Sequence, residues 1–161
     1  MELSDLHPLT THFPIAFLTL ASILCGVSIF RKSDFLSKSL LLILILGVVS
    51  SVLTLFTGNL AATEFSSAIA PRLDAFISSE INSLIEQHED FATYTMLNYT
   101  FMLIILFYEF INKRRNKQPI GAALRIVILG LTSLTGLYLI YKTGIYGGEL
   151  VFRYGVGSWV P

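Results

Sequence analysis

Residues 39–57 read SLLLILILGVVSSVLTLFT, nineteen positions with no charge, no proline and nothing more polar than Ser and Thr. A run of that length meets the roughly 20 apolar residues one helix needs to cross about 30 Å of hydrocarbon. Working outward, three further runs come close to the same length, at 13–30, 91–111 and 122–141. Arg125 is the one basic residue inside them, one turn into the last run, where its long side chain can reach back to the interface. The run 13–30 follows Glu2 and Asp5, with no basic segment and no small-residue cleavage site, so a retained helix is expected there rather than a signal peptide.

Composition agrees with an embedded chain. Of 161 residues, 53% are apolar and 14% charged, and the mean hydropathy is +0.69. Lys plus Arg and Asp plus Glu both number 11, so no basic excess points to nucleic acid. The single cysteine, Cys25, lies in an apolar run and excludes an intrachain disulfide or a cysteine-only metal centre.

Charge placement sets an expected topology. Arg31, Lys32 and Lys38 follow the first run, and Lys113, Arg114, Arg115, Lys117 and Arg125 surround the connection between the last two. Basic residues mark cytoplasmic loops, so both termini are expected on the outer side. His7, His12 and His88 then all fall on that side. The expected location is a bacterial cytoplasmic (inner) membrane, crossed four times, with extracytoplasmic termini.

Outside the runs, Pro71 reads as a first-turn residue of a helix covering 71–112. At 1.5 Å per residue such a helix is roughly 63 Å long, so its first half must project beyond the hydrocarbon. Leu73, Ile77, Ile81, Leu84 and Ile85 form a stripe at helical spacing, and His88 continues it toward neighbouring protein. Thr10 or Thr11 reads as the N-cap of the first helix, with His12 in its first turn, Pro14 harmless there, and His7 held extended before Pro8. The tail KTGIYGGELVFRYGVGSWVP reads as glycine turns folding over the helix ends, with Tyr146, Tyr154 and Trp159 at headgroup depth. Ser22/Gly26, Gly47/Ser51 and Thr132/Gly136 are small residues four apart that permit close helix packing.

Several pieces together carry a resemblance: HPLTTHFPIAF at 7–17, Thr57-Gly58 with Ala61-Ala62, His88-Glu89, and GGELVFRYGVG from Gly147. In this order across four spans, the chain resembles the bacterial membrane domain family of unknown function numbered 2231. The resemblance covers nearly the whole chain and implies four helices with outward-facing histidines. Relatives joined to redox domains imply electron-transfer chemistry. Tyr154 stands where many members have His before the GVG, so a role for that histidine does not transfer.

The expected architecture is an all-α, four-helix membrane bundle formed by residues 1–161 as one domain. Its candidate site pairs His12 with His88 as cofactor or metal ligands, supported by His7, with Glu64 and Glu149 as carboxylates that orient them. The expected cofactor is a b-type haem. A zinc or copper ion held with Glu64, Glu89 or Glu149 is the alternative, and a pair with no cofactor is the third reading. Glu109, near the end of the third run, is expected to snorkel to the interface or to pair with Lys113 or Arg114. No nucleophile arrangement is present, so no catalysed reaction is predicted and catalytic residues are unknown. An accessory or assembly subunit of a larger membrane complex and a small transporter component are the competing functions. The expected partners are membrane lipid and other membrane or redox subunits, with oligomerisation left open.

Overall fold

The computed structural model describes residues 4–31, 33–115, 118 and 120–156. Every regular element among them is helical. A 3-10 turn at Ser4–Leu6 leads into α1 (His7–Thr10) and α2 (His12–Phe30), which together form one span. Then follow α3 (Asp34–Glu64), α4 (Ala75–Arg114) and α5 (Ala122–Tyr154). Four helices are thus long and apolar enough to cross a membrane.

The main packing pairs are α2 with α3, α4 with α5, α2 with α5, and α3 with α4. That order places α2 diagonally opposite α4, and α3 opposite α5. Because the chain crosses four times, Ser4 and Val156 lie at one end of the bundle, the terminal end. The loops after α2 and α4 mark the other, the connector end.

One cluster fills the interior: Leu18, Ala21 and Cys25 of α2 meet Leu40 and Leu44 of α3, Tyr99 and Met102 of α4, and Leu129 of α5. Outward residues such as Ile23, Leu42, Ile104 and Leu134 are largely exposed, as helix faces turned to lipid are. Tyr99 is fully buried, and its hydroxyl meets Ser22 Oγ at 2.7 Å. Cross-helix polar contacts of this kind help hold spans together where lipid supplies no hydrophobic drive.

Several sequence expectations need correction. The first helix begins at His7, not at a Thr10 or Thr11 cap, and His7 is helical rather than extended. Pro8 sits in its first turn, where an amide hydrogen has no intrahelical partner to lose. Pro71 lies in a 3-10 turn at Ala70–Arg72 and does not start α4. Asp74 does: its side chain accepts from Phe76 N at 2.9 Å, an N-cap bond that proline cannot make.

As far as Tyr154 the glycine-rich tail is helix, not a set of turns, and Gly157 lies outside the described residues. Gly144, Gly147 and Gly148 lie within α5, which ends only at Gly155, where φ of +67° suits glycine in a left-handed cap. Packing explains this, because Leu150 joins Phe65, Ile81 and Leu84 in a second core, with Tyr146 and Tyr154 against it. Burial of those side chains outweighs the roughly 1 kcal/mol each interior glycine costs a helix. Trp159 lies outside the described residues.

At the connector end, Glu109 pairs with neither Lys113 nor Arg114. Its Oε2 accepts from Arg125 Nε at 2.9 Å, while Lys113 reaches Asp34 across the bundle and Arg114 lies over the Phe110 ring. Arg125 is therefore turned inward to a partner instead of stretching to the interface.

Candidate functional site

His7 and His88 come from the diagonal pair of spans and lie close together at the terminal end. Their ring centres stand 6.2 Å apart with the planes turned 83°. Both are half-buried. His12 is not part of this pair: it is exposed, and its Nδ1 donates to Pro8 O at 2.8 Å. The reason is helical phase. Eleven residues separate His7 from the buried Leu18, about three turns, so the two share a face, whereas five residues turn His12 about 140° away from His7.

Each imidazole is held in the same way. His7 Nδ1 lies 3.2 Å from Thr54 O and 3.2 Å from Thr57 Oγ1, and His88 Nδ1 lies 3.0 Å from Thr143 O. A carbonyl can only accept, so the proton is assigned to Nδ1 in both rings and Nε2 keeps its lone pair. Neither Nε2 has a hydrogen-bond partner among the described residues. A ring oriented through Nδ1 with a free Nε2 is how proteins prepare histidine for a metal.

Carbonyls thus do the orienting expected of Glu64 or Glu149. Glu149 Oε1 instead accepts from Arg153 at 3.1 Å, and Glu64 is half-buried after Gly58 and Ala61 on α3. Among the described residues, no cluster of three His, Cys, Asp or Glu could bind a metal. Glu89 follows His88 and borders an open groove of about 580 Å³ with Asn59, Thr63 and Ile85.

Two glycines make room for the rings. A Cβ on Gly58 would lie 2.8 Å from His7 Cε1, and one on Gly147 would lie 2.8 Å from His88 Cε1. Any larger residue at either position displaces an imidazole.

Around His7 a threonine network ties α1 to α3. Pro14 has no amide hydrogen for Thr10 O, and Thr54 Oγ1 donates to that carbonyl instead at 3.0 Å. Thr10 Oγ1 lies 3.1 Å from Thr57 Oγ1. Around His88, Thr143 Oγ1 donates to Leu139 O at 2.9 Å, Thr95 Oγ1 donates to Phe91 O at 2.7 Å, and the two hydroxyls lie 3.4 Å apart. Phe91 stacks on Tyr146 at 5.4 Å, with Lys142 Nζ 4.9 Å from the Tyr146 ring centre.

Thr54 and Thr143 carry no expectation of their own from the sequence, and Gly58 and Gly147 enter it only as part of the family resemblance or, for Gly147, the expected tail turns. The signal was present twice, as Thr-x-x-x-Gly in residues 54–58 and again in 143–147. On a helix, positions four apart share a face, so the threonine carbonyl and the glycine gap meet the same ring.

No curated protein and no solved structure matches the chain. A protein-family model does match, over residues 4–159, and its description is a predicted membrane protein. That match covers nearly the whole chain and agrees with the four spans. The chain belongs to DUF2231, a family of predicted membrane proteins.

Proposed function

We propose that this integral membrane protein is an electron carrier holding one b-type haem between His7 and His88. The observation that carries the reading is the pair itself: two imidazoles from diagonal helices, each with Nδ1 on a carbonyl and Nε2 without a hydrogen-bond partner among the described residues, with ring centres 6.2 Å apart. Two imidazoles ligating one metal through bonds of about 2.0 Å have ring centres roughly 6 Å apart, so the spacing suits a single iron. Histidine is the ordinary axial ligand of a b-type haem, and bundle cores build such sites from facing helices. The group supplies one-electron chemistry; the chain orients the ligands and limits access of water.

A lone zinc or copper ion is less well supported, because such ions take a third or fourth protein ligand and no acid or thiol joins the pair among the described residues. The terminal end is proposed to be extracytoplasmic in a bacterial inner membrane, from the basic residues gathered at the connector end. An electron partner would approach the terminal end beside the groove bordered by Asn59 and Glu89.

The test is a visible spectrum of the detergent-purified full chain, grown with haem supply, oxidised and then reduced with dithionite. A sharp reduced α-band and about one haem per chain are expected. Folded protein that stays colourless and metal-free, even after incubation with haemin, would sink the reading and leave the histidines as a packing pair in an accessory subunit.

A further inference from the structure

We infer that the chain is two copies of one helical hairpin related by a two-fold axis along the bundle, with His7 and His88 as one ligand-holding unit repeated across that axis. The first copy is α1 to α3 and the second is α4 with α5.

Two constant offsets relate the copies. Moving 81 residues along the first helix of each copy takes His7 to His88, and moving 89 residues along the second takes Thr54 to Thr143 and Gly58 to Gly147. The same offsets relate contacts that have no part in the histidine site. A Cβ on Gly47 would strike Leu18 and Phe17; a Cβ on Gly136 would strike Tyr99, 2.6 Å from its Oη, and Asn98. Leu18 and Tyr99, Phe17 and Asn98, and Gly47 and Gly136 are all equivalents under those offsets.

Burial repeats as well. Ala21 and Met102 are both fully buried, as are Leu40 and Leu129. On the lipid side, Ile23 is 56% exposed and Ile104 59%, while Leu42 is 58% and Leu131 61%. Each helix therefore presents the same face to the interior at the same height as its counterpart. One amphipathic pattern could arise by chance in any bundle. Matching glycine contacts, histidine anchors and exposures at two fixed offsets require equivalent placement of whole hairpins. Parallel repeats about an axis along the membrane normal are a known way of building membrane proteins.

The consequence concerns the site. His7 lies on one copy and His88 on the other, so the axis passes between them, and whatever binds there meets two like half-sites. Resting on the haem reading above, this favours a flat ligand with two equivalent coordinating faces, such as a metal tetrapyrrole, over an ion gripped from one side.

The repeat is tested without any cofactor by nitroxide distance measurements on the full chain in a Cys25→Ala background. Four double-cysteine proteins pair Ile23 with Leu42, Ile104 with Leu131, Ile23 with Leu131, and Leu42 with Ile104. The first two should give one distance and the last two another, each within the width of the label distributions. A clear difference within either set overturns the repeat. Gly58→Ala and Gly147→Ala then test the like half-sites: each should lower haem retention to a similar extent, while Gly144→Ala, whose Cβ meets open space, should leave it intact. Loss confined to one of the two overturns the equivalence. Wild-type protein without haem would fail the functional reading alone, since the distances judge the repeat independently.

Discussion

The imidazole planes of His7 and His88 are turned 83° to each other. Crossed axial rings have a spectroscopic consequence. If the pair holds a haem iron, as proposed, each imidazole would split two iron d orbitals through its π system, and perpendicular rings would split them in opposite senses, leaving them nearly degenerate. The oxidised protein should therefore give a highly anisotropic low-spin signal dominated by one large-g feature at low temperature. A well-resolved three-line rhombic spectrum would mean that the rings lie parallel in the bound state, and a high-spin spectrum that one of them does not ligate.

Ligand identity is tested by substitution. His7→Ala and His88→Ala should each abolish the six-coordinate low-spin spectrum and cut haem content at least tenfold. His12→Ala should keep both, because its ring returns to Pro8 O on an exposed surface. Haem content per chain, measured after two chromatographic steps, checks all three proteins. Dependence on His12 equal to that on His7 would remove the pairing from consideration.

The bundle is legible in the sequence because hydropathy is a property of a run and survives any detail of packing. Charge-free residues 39–57 announce a span whatever they touch. The site is half legible. The stripe through Ile81 and Leu84 points His88 to the interior, and it does lie there beside Thr143. His7 is undervalued because Pro8 suggests an extended residue before it, a local preference that the helix overrides by starting at His7. Counting three turns back from Leu18 selects it. The helical tail is hidden for a similar reason: Gly144, Gly147 and Gly148 weaken a helix locally, and only the second core around Leu150 outweighs them.

Thr54 and Pro14 are energetically linked. The Thr54 hydroxyl serves Thr10 O because Pro14 lacks the amide hydrogen that would otherwise do so. Thr54→Val should cost about 1 kcal/mol, the upper part of the range for hydrogen bonds between membrane helices. In a Pro14→Ala background, the new amide at position 14 can donate to that carbonyl, and the same substitution should cost markedly less. Unfolding in mixed detergent micelles measures the cycle. Equal costs in the two backgrounds would contradict the linkage.

Topology follows from the position of the terminal end. In a Cys25→Ala background, Ser79→Cys on exposed α4 should react with a membrane-impermeant thiol reagent added to intact cells. Gln118→Cys, at the connector end, should react only after the cells are opened. The reverse pattern would place the histidine pair on the cytoplasmic side, and the proposed electron partner with it.

Glu109 and Arg125 join α4 to α5 near the connector end, with side chains 15% and 23% exposed. Only one oxygen of the carboxylate is engaged; Oε1 is buried with no hydrogen-bond partner among the described residues. Removing the guanidinium would leave that carboxylate without its donor in a poorly hydrated place. Arg125→Met should therefore destabilise the bundle by about 2 kcal/mol, less than the 3–5 kcal/mol of a fully buried pair because water reaches part of both groups. Adding Glu109→Leu should restore most of the loss, since two apolar residues can pack where the ions stood. If the double variant is as unstable as the single, the pair is not what the substitution disturbs, and the methionine side chain itself is at fault.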